Sequence, residues 1–251
     1  QTSLSFEPVS WWKLDNLTTG IQDSGSASNN GTNNGATEVA SNVAVDQWNF
    51  DNVSQAQTPD WSSALNFTGS IGNEHLEAMS SANLIMQGSH SFSCWLNTGT
   101  TSDATNYIFD KGTLDYSLGF TSNSLRLIYY NYQGGGGSNT ILTLDSDWLT
   151  NYAQSWHHII VTVDQPNLLV KLYVDGQLIG APAALPADYL APDNGTGNLN
   201  IMSYTGSTLS LSGQLSNLAF FNGTVLQQSD IDTIYNNGMP ELVLSGSPTS
   251  W

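Results

Sequence analysis

The sequence predicts an all-β fold, a two-sheet antiparallel jelly-roll sandwich of about 12 to 14 strands with one short helix near the C-terminus. Polar and apolar residues alternate with a period of two along most of the chain, as in strands that bury one face. Turn signals rich in glycine and asparagine separate these segments. No shift in composition divides the chain. We therefore predict one domain over residues 9–238, with linkers at 1–8 and 239–251.

The strand pattern is clearest in a series of short segments. They are Ser10–Leu14, Ala64–Phe67, His90–Asn97, Tyr107–Lys111, Tyr116–Thr121, Ser124–Tyr130, His157–Asp164, Leu168–Val174, Gln177–Ala181, Leu199–Met202 and Gly213–Phe221. Asp175-Gly176 favours a type I′ turn, so the two segments beside it are expected to form a hairpin. Further turns are expected at Asn34-Gly35, Gly134–Gly137, Asn194-Gly195 and Asn222-Gly223.

One late segment predicts a helix. Ser229 is expected to cap its N-terminus and Asp232 to complete a capping box. Gly238 is expected to end the helix, and Pro240 prevents its continuation. The apolar stripe that would pack on the sandwich consists of Ile231, Ile234 and Tyr235.

The charge balance excludes two classes of partner. The chain has 4 Lys and Arg against 21 Asp and Glu, a formal net charge of −17. So few bases cannot neutralise the phosphates of a nucleic acid, and an anionic lipid surface would repel the chain. No apolar run approaches the roughly 18 residues of a membrane helix. Low Lys with abundant Asn, Gly, Ser and Thr favours an extracellular, cell-surface or virion location.

The single cysteine excludes an intramolecular disulfide and a cysteine-based zinc site. Cys94 alternates with Phe92 and Leu96 along one predicted strand. We interpret it as a small core residue in preference to a reactive thiol.

The ends of the chain carry related tetrapeptides, Pro8-Val9-Ser10-Trp11 and Pro248-Thr249-Ser250-Trp251. The second lies just past the predicted helix, where a following module would begin. The hypothesis is a tandem array, with neighbouring copies of the module or a homo-oligomer as partners. Because the chain begins with Gln1 and not Met, we expect a processed product or a piece of a longer chain.

A set of motifs occurs in a fixed order along the chain. They are Trp11-Trp12-Lys13-Leu14-Asp15, Ala64-Leu65-Asn66-Phe67, Phe92-Ser93-Cys94-Trp95, Trp156-His157-His158-Ile159, Lys171-Leu172-Tyr173-Val174-Asp175-Gly176 and Asn217-Leu218-Ala219-Phe220. This set resembles the laminin G-like jelly roll of the concanavalin A-like lectin/glucanase superfamily over roughly residues 9–238. The first forty residues are also similar to modules of marine phage and environmental surface proteins. The motifs are mostly architectural.

Carboxylates at catalytic spacing are absent. Glucanases of the resembled superfamily carry Glu-x-Asp-x-Glu on one strand, because retaining hydrolysis needs two carboxylates about 5 Å apart. Glu74 and Glu77 are the nearest approach, and their spacing of three places them on opposite strand faces. Asp145 and Asp147 have the right alternation but are expected in a solvated loop. We predict no catalytic residues and no enzyme activity.

The histidines indicate no triad or metal pair. His157 and His158 are adjacent, so they face opposite ways on a strand. His75 and His90 are isolated and are interpreted as ordinary polar residues.

Calcium is the one cofactor that the resemblance implies. Related jelly rolls often hold a structural calcium near the meeting point of the first and last strands. The candidate ligands are Asp15, with Asp23 and Asn30 in the following loop. In the closing strand Asn217 stands where the family usually has a carboxylate, which lowers the charge of such a site. The alternative is that these are solvated loop residues.

Two function classes remain open. The first is a non-catalytic, lectin-like recognition or adhesion module that binds glycans through Tyr130, Asn131 and Tyr132, because exposed aromatic rings stack on sugars beside amide groups. The alternative is a structural module of a fibre or decoration protein, which acts through protein–protein contacts without sugar binding.

Overall fold

The computed structural model describes residues 8–14, 17, 20–39, 64–68, 75–99, 105–112, 115–130, 139–186, 197–204 and 211–235. These residues form a sandwich of two antiparallel sheets. The strands are β1 (Ser10–Trp12), β2 (Gly31–Asn34), β3 (Thr37–Val39), β4 (Ala64–Thr68), β5 (His75–Ala78), β6 (His90–Thr98), β7 (Thr105–Asp110), β8 (Tyr116–Thr121), β9 (Ser124–Tyr129), β10 (Thr140–Asp145), β11 (Trp156–Asp164), β12 (Leu169–Val174), β13 (Gln177–Ala184), β14 (Leu199–Ile201) and β15 (Ser212–Asn222). A short helix spans Trp148–Tyr152, a late helix spans Gln228–Tyr235, and a 3-10 turn spans Ala82–Leu84.

The eight-stranded sheet has the order β13-β12-β11-β6-β15-β4-β3, and β1 pairs with β15 beside this path. The seven-stranded sheet has the order β10-β9-β8-β7-β14-β5-β2. The central pairings of both sheets, such as β6 with β15 and β7 with β14, join strands that are distant in sequence, as in a jelly roll. The predicted fold class is therefore confirmed.

Every predicted strand is present, with ends that shift by a few residues. Four strands and the short helix were missed. The missed strands are β2, β3, β5 and β10, of which β2 is the wholly polar Gly-Thr-Asn-Asn. A polar edge strand carries no apolar alternation, so its pairing with β5 and not its own sequence makes it a strand.

The core between the sheets is aromatic at its centre. The Phe92 ring lies 4.9 Å from Phe109 and 5.1 Å from Phe220, measured between centroids. Cys94 belongs to this core, as predicted, and burial raises the pKa of its thiol to about 12. A protonated, buried thiol is unreactive.

The predicted hairpin is confirmed. Asp175 and Gly176 join β12 to β13 with φ values of 50° and 77°. Two successive residues with positive φ define a type I′ turn, which suits the right-handed twist of the strands. The turn also packs beneath the late helix, since a Cβ on Gly176 would lie 2.9 Å from the Tyr235 ring.

The late helix packs on the outer face of the eight-stranded sheet. Ile231 and Ile234 contact an apolar cluster on that face, which consists of Trp11, Ile160, Tyr173, Ala219, Phe221 and Leu226. The apolar stripe was predicted correctly. None of the helices in the described ranges is long and apolar enough to cross a membrane.

The predicted cap of this helix is wrong by two residues. Helical hydrogen bonds begin at the Gln227 carbonyl, and the Asp230 carboxylate accepts from the Gln227 backbone N–H at 2.8 Å. Ser229 therefore lies inside the helix, where its carbonyl accepts from the Thr233 hydroxyl. The sequence rule favours Ser at a cap, but the burial of the apolar stripe determines where the helix begins.

Replacing Asp230 with alanine is expected to lower the free energy of unfolding by about 1 kcal/mol. The Gln227 backbone N–H would lose the carboxylate that accepts its hydrogen bond, and the helix N-terminus would lose a favourable negative charge. Asp232→Ala is the matched control, and we expect a change below about 0.5 kcal/mol for this exposed residue. Urea denaturation of both variants measures the difference. An equal loss in both variants would contradict the assigned cap.

Candidate functional site

Five polar residues lie side by side across the outer face of the seven-stranded sheet, one on each of β2, β5, β14, β7 and β8. The pairing register aligns Thr32 with Glu77, Glu77 with Asn200, Asn200 with Asp110, and Asp110 with Ser117. We call these five residues the polar row. On β5, β14, β7 and β8 the adjacent residues belong to the core, so the row faces outward. With about 4.8 Å between strands, it spans roughly 20 Å.

The polar row changes in depth along its length. Asp110 and Ser117 are fully buried, and Asn200 is 4% exposed. Glu77 is half-buried and Thr32 is exposed. One end of the row is therefore a buried polar floor, and the other end is open to solvent.

The row continues into an apolar end on the last two strands. Ile128 on β9 is aligned with Ser117, and Ile141 on β10 is aligned with Ile128. The Ile141 side chain is 52% exposed, which is high for isoleucine in a sheet. The face thus offers polar and apolar surface in one line.

Three tyrosines surround the buried end of the row. The Tyr130 hydroxyl donates to the Asp110 carboxylate at 3.3 Å and lies 3.1 Å from the Ser117 hydroxyl. Tyr107 is hydrogen-bonded to Tyr130, and its ring centroid lies 5.1 Å from that of Tyr204 with the planes at 33°. The half-buried rings of Tyr130 and Tyr204 are the accessible aromatic surface of this cluster.

Electrostatics keep these phenols protonated. Burial raises the pKa of Tyr130, and the Asp110 charge raises it further. Burial also raises the pKa of Tyr107. Both hydroxyls therefore remain hydrogen-bond donors at neutral pH.

The open end of the row is bordered by Asn198. Its amide donates to the Glu77 carboxylate at 2.8 Å, and its carbonyl oxygen accepts from the Ser80 backbone N–H at 3.1 Å. Both Glu77 and Asn198 are half-buried. This pair presents a fixed acceptor and an amide at the surface, which suits the recognition of hydroxyl groups.

A buried lysine supports the same region. The Lys111 ammonium lies 3.3 Å from the Asp115 carboxylate, and both side chains are fully buried. It also donates to the Ser80 hydroxyl at 3.2 Å and to the Gly197 carbonyl. Gly197 directly precedes Asn198, so Lys111 ties the segment that borders the row to the end of β7.

Of the predicted ligand-binding residues, the structure places Tyr130 at this site, while Asn131 and Tyr132 lie outside the described residues. Sequence reasoning did not single out Asp110 or Asn200, and it considered Glu77 only as a catalytic carboxylate. The one local signal was Asp110-Lys111, a charged pair at the end of an apolar strand. It did not show which face or which neighbours the pair would have.

The described calcium candidates lie near the meeting point of β1 and β15, but they do not fit a calcium site. The Asp23 carboxylate accepts backbone N–H groups from Trp11, Gly25 and Asn29 at 2.7, 2.8 and 2.6 Å. The Asn30 side-chain oxygen accepts from the Asp23 N–H, and that of Asn217 accepts from the Trp11 indole. These oxygens already accept hydrogen bonds that fix the chain around Trp11, which leaves few lone pairs for a calcium ion that needs six to eight oxygen ligands.

Asp15 lies outside the described residues. Within the described ranges, no group of three or more His, Cys, Asp and Glu side chains is placed to hold a metal ion.

Two expectations about acids and histidines need correction. Asp145 is the last residue of β10, and Asp147 directly precedes the short helix, so this segment is not a simple loop. His90 is not an ordinary polar residue, because it is buried in aromatic surroundings, and His158 is likewise buried. Burial lowers the pKa of His90 to about 4 and that of His158 to about 3.

A family model described as the concanavalin A-like lectin/glucanases superfamily matches residues 68–232. The chain belongs to this superfamily. The match runs from the last residue of β4 into the late helix, and it includes four of the five residues of the polar row. The resemblance inferred from the ordered motifs is confirmed.

Solved structures with this fold include receptor-binding domains of toxins. The binding domain of Paraclostridial Mosquitocidal Protein 1 has a TM-score of 0.67 and 13% identity, over 92% of this chain and 52% of that chain. The binding domain of Botulinum neurotoxin DC, in complex with rat synaptotagmin II, has a TM-score of 0.58 and 16% identity, over 90% and 51%. The Botulinum neurotoxin type G receptor-binding domain has a TM-score of 0.57 and 12% identity, over 92% and 51%.

This superfamily member spans about half the length of each of those domains. At such identities the likeness shows a shared fold. Among curated protein sequences, none is significantly similar to this chain.

Proposed function

We propose that this domain is a recognition module of an extracellular or surface protein, which binds glycans at the open end of the polar row. The observation that carries the proposal is the alignment of polar side chains from five strands beside accessible tyrosine rings. On the other sheet, part of the outer face is occupied by the late helix. The seven-stranded sheet is therefore the better candidate for a binding face.

The chemistry of this face matches that of a sugar. A sugar ring presents hydroxyl groups at its edge and C–H groups on its faces. Glu77 accepts hydroxyl protons and Asn198 has an amide beside it, while Tyr130 and Tyr204 offer aromatic surface for the C–H faces. Because Asp110, Ser117 and Asn200 are buried, they form the floor of the row, and a ligand would contact the accessible groups beside them. These groups lie on several strands, which favours an oligosaccharide.

Charge favours a neutral glycan. The row contains two carboxylates, Asp110 and Glu77, and the whole chain carries a net charge of −17. A sialylated or sulfated ligand would be repelled by both. Neutral oligosaccharides are the expected ligands, and anionic glycans are the expected negatives.

The structural neighbours support a recognition role and also favour the second candidate function. Several are named as binding or receptor-binding domains, and one is bound to a protein, synaptotagmin II. The same fold can therefore present a protein-binding surface. The second candidate is an adhesion or structural module that contacts proteins, including neighbouring copies of itself in a tandem array or homo-oligomer.

Glu77→Gln is expected to weaken glycan binding about 10- to 100-fold, since a charged acceptor of sugar hydroxyls contributes about 1.5–3 kcal/mol. The matched control is Glu38→Gln on β3 of the other sheet, which should change the dissociation constant less than two-fold. Glu38 accepts only an exposed backbone bond in the described residues. A glycan array would identify the ligand. Titration calorimetry would then measure its dissociation constant for the wild type, Glu77→Gln and Glu38→Gln.

The melting temperatures of both variants should stay near that of the wild type, which separates lost binding from lost folding. Equal effects of the two substitutions would move the site away from the polar row. No hit on the array, together with oligomers in solution, would overturn the glycan proposal and support the protein-contact function.

A further inference from the structure

A hydrogen-bonded chain of serine, histidine and aspartate lies at one end of the eight-stranded sheet, where β11 begins beside the β12–β13 turn. The Ser155 hydroxyl lies 2.8 Å from Nε2 of His157. Nδ1 of His157 lies 2.7 Å from Oδ2 of Asp175. Contrary to the expectation from sequence, one histidine therefore does form a triad.

The chain of bonds is directional. Because Nδ1 of His157 donates to the Asp175 carboxylate, Nε2 is left as an acceptor for the Ser155 proton. The Ser155 hydroxyl also lies 3.4 Å from the Tyr152 carbonyl, but the contact with His157 is much shorter. This is the arrangement in which a histidine acts as the base for a serine nucleophile and a carboxylate orients the histidine.

Two features hold the histidine and the carboxylate in place. The second carboxylate oxygen of Asp175 accepts from the His158 backbone N–H at 2.9 Å, and the Asp175 N–H donates back to the His158 carbonyl at 2.9 Å. The Tyr152 ring meets the His157 ring edge to face, with centroids 5.0 Å apart. Rotation of His157 or Asp175 out of line would break these contacts.

The site is open to reactants. Ser155 is exposed, and the side chains of His157 and Asp175 are 18% and 33% exposed. Gln154, the residue before the serine, has a φ of 64°, so the chain turns sharply just before the hydroxyl. The site lies on a different sheet from the polar row and does not depend on the proposed glycan function.

We propose that Ser155 is an activated nucleophile that accepts acyl groups from small activated esters. His157 takes the Ser155 proton at Nε2 as Oγ bonds to the ester carbonyl carbon. The bond from that carbon to the leaving oxygen breaks, and the imidazolium returns its proton to the leaving group. Water repeats the sequence on the seryl ester, which releases the acid and restores the serine. Asp175 is a positioning residue that holds His157 in the required tautomer.

The test uses a fluorophosphonate probe on the intact protein, with the labelled residue mapped by mass spectrometry. We expect labelling of Ser155, with a rate that falls about 100-fold in His157→Gln, the usual contribution of a general base. Asp175→Asn should lower the rate as well, because an amide facing Nδ1 favours the wrong tautomer. Ser146, another exposed serine, is the internal control and should remain unlabelled.

A cysteine at position 155 gives a second measure of activation by His157, which applies even if the triad substitutions disturb the hairpin. Ser155→Cys should alkylate with iodoacetamide faster than Ser155→Cys/His157→Gln, since the imidazole promotes the thiolate. Buried Cys94 does not compete. The proposal is wrong if Ser155 is labelled no faster than Ser146, or if loss of His157 changes neither the labelling rate nor the alkylation rate. The Ser155–His157–Asp175 hydrogen bonds would then only tie the hairpin to β11.

Discussion

Replacing Lys111 with methionine is expected to lower the free energy of unfolding by about 3–5 kcal/mol, which is the usual effect of removing one partner of a buried ion pair. The substitution leaves the Asp115 carboxylate fully buried without its cation. In a domain of this size the melting temperature should fall by about 6–20 °C. Differential scanning calorimetry measures the change.

Two further variants test the cause. Lys171→Met on β12 removes a partly exposed lysine and should change stability by less than about 0.5 kcal/mol. Lys111→Met/Asp115→Leu removes both charges and should recover part of the loss, because the uncompensated carboxylate is gone. If the double variant is no more stable than Lys111→Met, the buried carboxylate is not the source of the loss.

Lys111 also links stability to the proposed site. It holds the Gly197 carbonyl, and Asn198 bonds to Glu77 at the open end of the polar row. Folded Lys111→Met protein at low temperature should therefore bind the glycan more weakly than the wild type.

Acidification from pH 7 to pH 5 is expected to destabilise the domain by about 2 kcal/mol for each of two buried histidines. Burial lowers the pKa of His90 to about 4 and that of His158 to about 3, from an ordinary value of 6.5. As the pH falls below 6.5, these histidines become protonated in the unfolded chain but stay neutral in the folded protein. The stability is therefore fully present above pH 6.5 and is lost progressively toward the folded pKa values.

The measurement compares each histidine variant with the wild type, so that the effects of the many carboxylates cancel. Between pH 7 and pH 5, the free energy of unfolding of His90→Gln and of His158→Gln should fall by about 2 kcal/mol less than that of the wild type, as measured by urea denaturation. In His158→Gln the new amide could still bond to the Ser93 hydroxyl, which is the neighbour of Nε2 in the wild type. Variants whose pH dependence equals that of the wild type would contradict the assignment.

Local pattern was sufficient for most of the fold. Strands such as β6 and β11 have one apolar face, and that alternation is visible within a few residues of sequence. The hairpin at Asp175 depends on two adjacent residues, so it could also be predicted from the sequence. By contrast, β2 is polar and could be recognised only from its partner β5.

The polar row could not be predicted, because it is assembled from residues far apart in sequence. Asn200 on β14 lies between Asp110 on β7 and Glu77 on β5, and nothing near these positions specifies that order. The Ser155–His157–Asp175 chain depends in the same way on the turn after β12 returning to the start of β11.

By itself, the sequence determined most of the strands, the hairpin, the core position of Cys94 and the superfamily. These follow from side-chain alternation, turn residues and composition, all of which are local or additive. Only the tertiary structure decided which outward-facing side chains meet, where the late helix begins and which lysine is buried. Strand order and register come from packing two sheets around one core, and that is a property of the whole chain.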